Sequence, residues 1–464
     1  MANQVKKETN LGEGSVGRLL FNLAVPAIAA QLINVLYNMV DRMYIGHIPE
    51  VGATALTGVG VCLPVIMIIS AFAALIGSGG APRAAIMMGR GDNDSAEEIM
   101  GNCISTLTIL ALILTAVFLF FGRSILMIFG ASDVTISYAL DYMNIYAIGT
   151  IAVQYALGLN PFITTQGFAK TSMLTVAIGA VINIILDPIL IFGFNMGVKG
   201  AALATIISQA VSAVWVVWFL CGKKSILKVR KKHLHVRAGV ILPVLALGVS
   251  PFIMQSTESL LAVCFNTSLL KYGSDLAVGS MTILTSVMQF AMLPLLGMTQ
   301  GAQPIISYNY GAGKADRVKK AFHLLFISCL AYTTLLWALV MINPAMFAAI
   351  FTNNAQLIEM TSWTLRIYMA VSCILGAQIA CQQTFIALGN AKASLFLALL
   401  RKIILLIPLI YIMPSIFSSD KVKAVFLAEP IADTIAITVT VIMFFATFNK
   451  TLKKLPSHHP EGEN

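Results

Sequence analysis

Apolar residues run along this chain in blocks far longer than a soluble helix or strand uses. Asp, Glu, Lys and Arg are absent from residues 142–169, 200–222, 276–313 and 321–358. Each block holds the ~20 residues that a helix needs to cross the hydrocarbon core of a bilayer. Barrel strands would alternate apolar and polar positions in segments of about ten residues, and the blocks show no such alternation. In lipid the backbone finds no water, so a long apolar block satisfies its own hydrogen bonds as a helix. The pattern predicts spans at 18–44, 53–78, 98–121, 135–158, 165–192, 198–221, 239–269, 276–303, 319–342, 356–380, 389–413 and 422–448. The expected fold class is an all-α polytopic membrane protein with twelve transmembrane helices.

Composition removes the soluble alternatives. Of the 464 residues 58% are hydrophobic and only 11% charged, where soluble domains carry about 25% charged residues. Mean hydropathy is +0.86, more apolar surface than a water-soluble fold of this length can hide. The seven cysteines lie within or at the ends of apolar blocks, with no CxxC spacing. Neither a disulfide framework nor a metal site is therefore expected. The first seventeen residues are polar and no small-residue cleavage site follows, so no cleaved signal peptide is expected.

Charge then orients the chain. Twelve spans put both termini on one side, and 23 of the 30 Lys and Arg fall on that side when it is cytoplasmic. Lys6, Lys7, Arg401 and Lys402 are counted in that group. The net charge of +10 sits largely in short loops beside the membrane, which predicts attraction to inner-leaflet lipid rather than to nucleic acid. Its longest basic stretch, Lys223 to Arg237, divides the spans six and six and reads as a topology-setting linker. The expected divisions are a cytoplasmic segment 1–17, a first lobe 18–221, a linker 222–238, a second lobe 239–448 and a cytoplasmic tail 449–464. A multi-pass location in the cell membrane follows.

The chain also repeats itself. GGAPRAAIMMGRG at 79–91 matches GAQPIISYNYGAG at 301–313, and GFAKTS at 167–172 matches GNAKAS at 389–394, both at a shift of 222. Near the start of each lobe the shift is 225, with Pro26 on Pro251. Six spans per copy give two copies of the same orientation, a parallel repeat with an axis along the membrane normal. Such carriers bind near the midplane at the repeat interface and work by alternating access.

Ionisable residues inside lipid cost about 2.5–3.5 kcal/mol each on insertion scales, so each carries a functional hypothesis. Asp41 in the first span shares a helical stripe with Asn34 and Asn38, beside Tyr37. Asn183 and Asp187 are one turn apart in the fifth span, and Thr205 lies in the sixth. Two carboxylates sharing a low-dielectric pocket repel each other, which favours uptake of one proton. The same oxygens suit a small hard cation such as Na+. The alternative is structural: Asp41 neutralises Arg42, and Asp187 caps a break at Pro188. The repeat opposes it, because Asp41 falls on Asn266, and Asn183 and Asp187 fall on Leu405 and Leu409. Glu258 in the seventh span is a second-lobe candidate, with Glu429 and Asp433 of the twelfth placed nearer its outer end. Arg366 calls for a carboxylate or carbonyl partner that the sequence does not identify. Pro26 and Pro251 allow the first span of each lobe to bend. Most of the 22 methionines and 25 phenylalanines read as packing, with a minority available to line an adaptable cavity for amphipathic cations.

Taken together, the chain resembles the multidrug and toxic compound extrusion (MATE) family. The likeness covers about 15–450 and rests on VPAIAAQLINVLYNMVDRMYIG, the two PxxxxxxGxG segments at 82–91 and 304–313, the GFAK and GNAK turns, NIILDP at 183–188 and GAALAT at 200–205. The resemblance implies a V-shaped bundle of two six-helix lobes that exports drugs or metabolites in exchange for protons or sodium. In one branch it implies a first-lobe cation site at the positions of Asp41, Asn183, Asp187 and Thr205. Another branch relies on second-lobe carboxylates; Glu258 is only approximately placed for that, and no clear tenth-span Asp is present. No cofactor is expected beyond the coupling ion, H+ or Na+. Partners are small organic substrates and lipid, without nucleic acid, and a monomer is expected. The runner-up is a lipid or lipid-linked oligosaccharide flippase, which would need more cationic residues facing the cavity than the deep spans provide. A major facilitator carrier would show a G-x-x-x-D-R-x-G-R-[KR] loop where this chain has MMGRGDNDSAEE. A channel is disfavoured by the asymmetric carboxylates. An enzyme is disfavoured because no nucleotide-binding glycine loop followed by Lys-Ser/Thr is present.

Overall fold

The computed structural model describes residues 10–417 and 419–455. Lys6, Lys7 and the outer parts of both expected terminal segments lie outside the described residues. The described chain is helical throughout: α1 Val16–Gly46, α2 Gly52–Gly89, α3 Asn93–Ile128, α4 Ile136–Ile148, α5 Thr150–Thr165, α6 Ala169–Pro188 and α7 Val198–Cys221 make up the first half. The second half comprises α8 Ala238–Tyr272, α9 Asp275–Gly311, α10 Ala315–Ile342, α11 Pro344–Ala349, α12 Ala355–Tyr368, α13 Leu375–Ala387, α14 Ala391–Leu399, α15 Ile407–Ile416 and α16 Lys421–Lys453. Helix starts follow local chemistry, as where the Asp92 and Asn390 side chains accept from the Ser95 and Ala393 amides.

Ten helical runs are long and apolar enough to cross a membrane, and α12 with α13, bent by 52°, gives an eleventh. The segment expected at 135–158 is met by two shorter helices, α4 and α5, which join at Gly149. Two runs change pitch without breaking. A π-helical stretch, Ile189–Gly193, follows Pro188 at the end of α6, and another, Leu400–Leu406, joins α14 to α15. Such widened turns recur at functional sites. The helices α1 and α8 continue through Pro26 and Pro251. Large apolar side chains such as Phe120, Ile128 and Ile342 stand outward on the helical surface, as a lipid-facing belt requires.

The halves interlock through their first helices. The start of α1 (Val16, Leu20, Leu23, Ala24) packs into a core built from α9, α10, α13 and α16 of the second half. Reciprocally, Ile241 and Val244 of α8 pack into a core of α2, α3, α5 and α7. The two PxxxxxxGxG segments meet at this seam. A Cβ on Gly89 would fall 2.0 Å from the Tyr308 carbonyl oxygen, and one on Gly311 would fall 2.0 Å from that of Ile86. Only glycine permits that backbone approach, which gives the repeated motif a structural reason.

The basic linker is folded rather than free. Gln166 Oε1 accepts from the amides of Ile226 and Leu227 at 2.6 and 2.9 Å. Buried Glu97 accepts from the Lys228 amide and pairs with Arg230. Lys232 pairs with Asp94 and Arg237 with Glu98, each at 2.6 Å. Three of the seven Lys and Arg of this stretch, Arg230, Lys232 and Arg237, are therefore engaged by the start of α3. The exposed Asp94 carboxyl is held below the usual aspartate range by the Lys232 ammonium, with His233 adding to it.

Candidate functional site

Three helices bring the first-half polar residues to one place. Asp41 lies near the end of α1, Asn183 and Asp187 on the last turns of α6, and Thr205 on the second turn of α7; all are buried. Asn183 and Asp187 share a face because four residues make about one helical turn, and the Asn183 amide donates to Asp187 Oδ1 at 3.4 Å. The Asp41 and Asp187 carboxyls are neighbours in this cluster. Two neighbouring carboxylates out of water repel each other, which favours uptake of a proton or a cation.

Three oxygens in this cluster have no hydrogen-bond partner: Asp41 Oδ1, Asn183 Oδ1 and Asp187 Oδ2. A buried acceptor left without a donor costs about 1–3 kcal/mol, and more when charged. Unpaired oxygens from two helices therefore form an acceptor-rich pocket suited to a proton or a small hard cation. Among the described residues Asp41 forms no ion pair with Arg42.

A cavity of about 220 Å³ adjoins the cluster. Its wall includes Asn34 and Tyr37 of α1, Asn160 of α5, Thr175 of α6, Gln209 of α7, and Gln300 and Gln303 of α9. The lining contains amides, hydroxyls and methionine but no charged side chain. Gln31 donates to Gln300 at 3.2 Å, joining α1 to α9 across the halves. Tyr37 stands one turn from Asp41 and lines the cavity together with Gln209. Asn38 does not share this wall: it is exposed, and its amide turns back to the Asn34 carbonyl at 2.6 Å. The face that points inward is thus Asn34, Tyr37 and Asp41. Tyr142 of α4 is a buried neighbour of the cluster that the sequence pattern did not single out.

The second half carries a different polar cluster. Arg401 Nε donates to Asp433 Oδ1 at 2.6 Å, and its Nη2 donates to Glu429 Oε1 at 3.2 Å. Lys402 pairs with Glu258 and donates to the Met254 carbonyl at 2.7 Å. This corrects the expectation that Arg401 and Lys402 sit at the cytoplasmic face and that deep cations are nearly absent. Both lie mid-way along the apolar run Ala391–Ile416, inside the π-helical stretch. Burial is tolerated there because three carboxylates neutralise them. Arg366, for which a partner was sought, is exposed and has no ion-pair partner among the described residues.

Comparison with known proteins agrees with this architecture. The chain is 24% identical over 438 residues to Multidrug export protein MepA of Staphylococcus haemolyticus (strain JCSC1435), covering 94% of this chain and 95% of that protein. It is 25% identical over 430 residues to the protein of the same name from Staphylococcus aureus (strain N315), covering 92% and 94%. Among solved structures, MATE in the bent conformation aligns with a TM-score of 0.89 at 21% identity, over 96% of this chain and 98% of that one. The outward-facing conformation of a multidrug resistance MATE family transporter aligns at 0.88 and 21%, over 97% and 99%. The family model described as MatE matches twice, at residues 26–189 and 251–412. The chain therefore belongs to the MatE family of multidrug efflux transporters.

Proposed function

We propose that the protein is an ion-driven antiporter that exports small amphipathic organic compounds, cations among them, by alternating access. The reading takes twelve spans in two lobes, with α4 and α5 together as one span and α12 and α13 as another. It places both termini in the cytoplasm and takes a monomer as the working unit.

The observation that carries it is the acceptor-rich cluster of Asp41, Asn183, Asp187 and Thr205 beside an uncharged cavity. One face of α1 serves both, so the charge state of Asp41 and the shape of the cavity wall at Tyr37 and Asn34 are mechanically joined. An ion taken up by the carboxyl pair removes their mutual repulsion and lets α1 and α6 draw together. Its loss reverses that change, and substrate and ion thereby exclude each other in turn. The multidrug export proteins among the relatives support this reading. A flippase for anionic headgroups finds no support: the cavity lining has no cation, and Arg401 and Lys402 are already paired.

The test is efflux of ethidium from proteoliposomes under an imposed proton gradient or, separately, an imposed sodium gradient. One of the two gradients is expected to drive export above the rate without gradient. Equal rates under all three conditions would remove the antiport reading.

A further inference from the structure

Resting on the reading of the chain as an ion-driven exporter, we propose that Arg317 is a positioning residue for transport. Its clasp on the strap of residues 10–14 fixes the start of α1 in the second half, so that movement between the halves is delivered along α1 to Asp41.

The two ends of α1 are seated in different halves. Val16, Leu20, Leu23 and Ala24 pack into the second-half core, whereas Ile45 packs into a first-half core that includes α2, α3, α4 and α7. Past its start the helix runs backbone to backbone with α9. A Cβ on Gly301 would fall 2.5 Å from the Ala24 nitrogen, and one on Gly297 would fall 2.6 Å from that of Ile28. Asp41 lies beyond this contact, beside Asp187 of α6. A rod held in this way turns movement between the two bodies into displacement of one end, provided that the other end does not slip. The strap supplies the grip. Leu11 is buried in the second-half core, and the backbone carbonyls from Leu11 to Gly14 all accept from side chains of α9, α10 and the turn between them. Arg317 Nη2 donates to Leu11 at 3.2 Å and to Glu13 at 2.9 Å, and Nη1 donates to Gly14 at 2.7 Å. Lys314 Nζ donates to Gly12 and Asn309 Nδ2 to Leu11, each at 2.9 Å. Arg317 Nε donates to Asn309 Oδ1 at 2.9 Å, which sets the plane of the guanidinium. A rigid fork of donors suits several acceptors at once, where an ammonium is a single point charge. Because the acceptors are neutral backbone groups, the grip is not altered when the Asp41–Asp187 pair gains or loses an ion.

The test is gradient-driven ethidium export from proteoliposomes, with ethidium binding measured without a gradient on the same preparations. Arg317→Gln removes the fork and is expected to slow export about tenfold, the scale of one hydrogen bond to a charged group, with ethidium affinity unchanged. Arg317→Lys keeps the charge but cannot span three carbonyls, and should also export more slowly than wild type. A covalent tether then tests the grip itself. A Cβ on Gly12 would lie 3.0 Å from Tyr308 Cε1, so Gly12→Cys/Tyr308→Cys in a Cys221→Ser background can be bridged by a short bifunctional methanethiosulfonate. The bridge should leave export intact when Arg317 is present and restore it in Arg317→Gln, and reduction should undo the restoration. A wild-type rate in Arg317→Gln or Arg317→Lys, a bridge that arrests export, or a bridge that restores nothing overturns the proposal. Equal losses of binding and export in Arg317→Gln overturn it as well, because a merely structural role moves both. Wild type is scored alongside. Its export with unaffected variants removes this proposal alone, whereas no gradient-driven export by wild type removes the antiport reading and the proposal with it.

Discussion

At the residue scale, what spacing along one helix decides was legible, and what depends on distant partners was not. Asn183 and Asp187 sit four apart, and helix geometry alone places them on one face. Asn34 and Asn38 are also four apart, yet the Asn38 amide closes on the carbonyl of its own helix and leaves the site. Arg401 and Lys402 read as interfacial charges because the acids that neutralise them belong to α8 and α16, far along the chain. We predict that Asn183→Leu, which removes the donor to Asp187, slows gradient-driven ethidium export about tenfold, the cost of one hydrogen bond to a charged group. The initial efflux rate at a fixed gradient checks this, with circular dichroism and monodispersity unchanged. A wild-type rate would mean that the amide takes no part in holding the carboxyl pair.

At the element scale, the repeat was legible but its physical reason was not, since equivalence in sequence does not reveal contact. Gly89 and Gly311 match because their helices, α2 and α9, cross backbone to backbone. Gly89→Ala and Gly311→Ala are each expected to lower the thermal unfolding midpoint, on the scale of about 1–3 kcal/mol for overpacking. Gly60→Ala is the control, because nothing lies within 4 Å of the added Cβ there. Equal midpoints for all three variants would contradict the seam. The linker was legible as basic but not as docked, because its acids belong to α3. Glu97→Gln weakens the hold on Arg230, so trypsin is expected to cut within 224–237 faster than in wild type. Asp94 titrates below the ordinary aspartate range. Its contribution is therefore present above that range and is lost only as pH falls through the lowered value. Protease protection should accordingly be constant from neutral pH to about pH 5.

At the scale of the whole molecule, membrane class and family were readable from hydropathy, charge asymmetry and ordered motifs together. The number of single long helices was not, because Gly149 and the 369–371 segment interrupt two spans that hydropathy reads as continuous. Orientation has a direct check in a native residue. Cys221, at the end of α7 beside the basic linker, is exposed, while the other cysteines are buried or partly buried. A membrane-impermeant maleimide should label it in inside-out vesicles and not in intact cells; the opposite result would invert the topology.

The central claim is that the Asp41–Asp187 pair exchanges an ion for substrate. It is tested most directly by ethidium efflux from proteoliposomes under the productive gradient, comparing wild type with Asp41→Asn and Asp187→Asn. Ethidium binding without a gradient is measured on the same preparations. Both variants are expected to bind ethidium and to lose gradient-driven export. Export at the wild-type rate by either variant would contradict the account and return that carboxylate to a structural role.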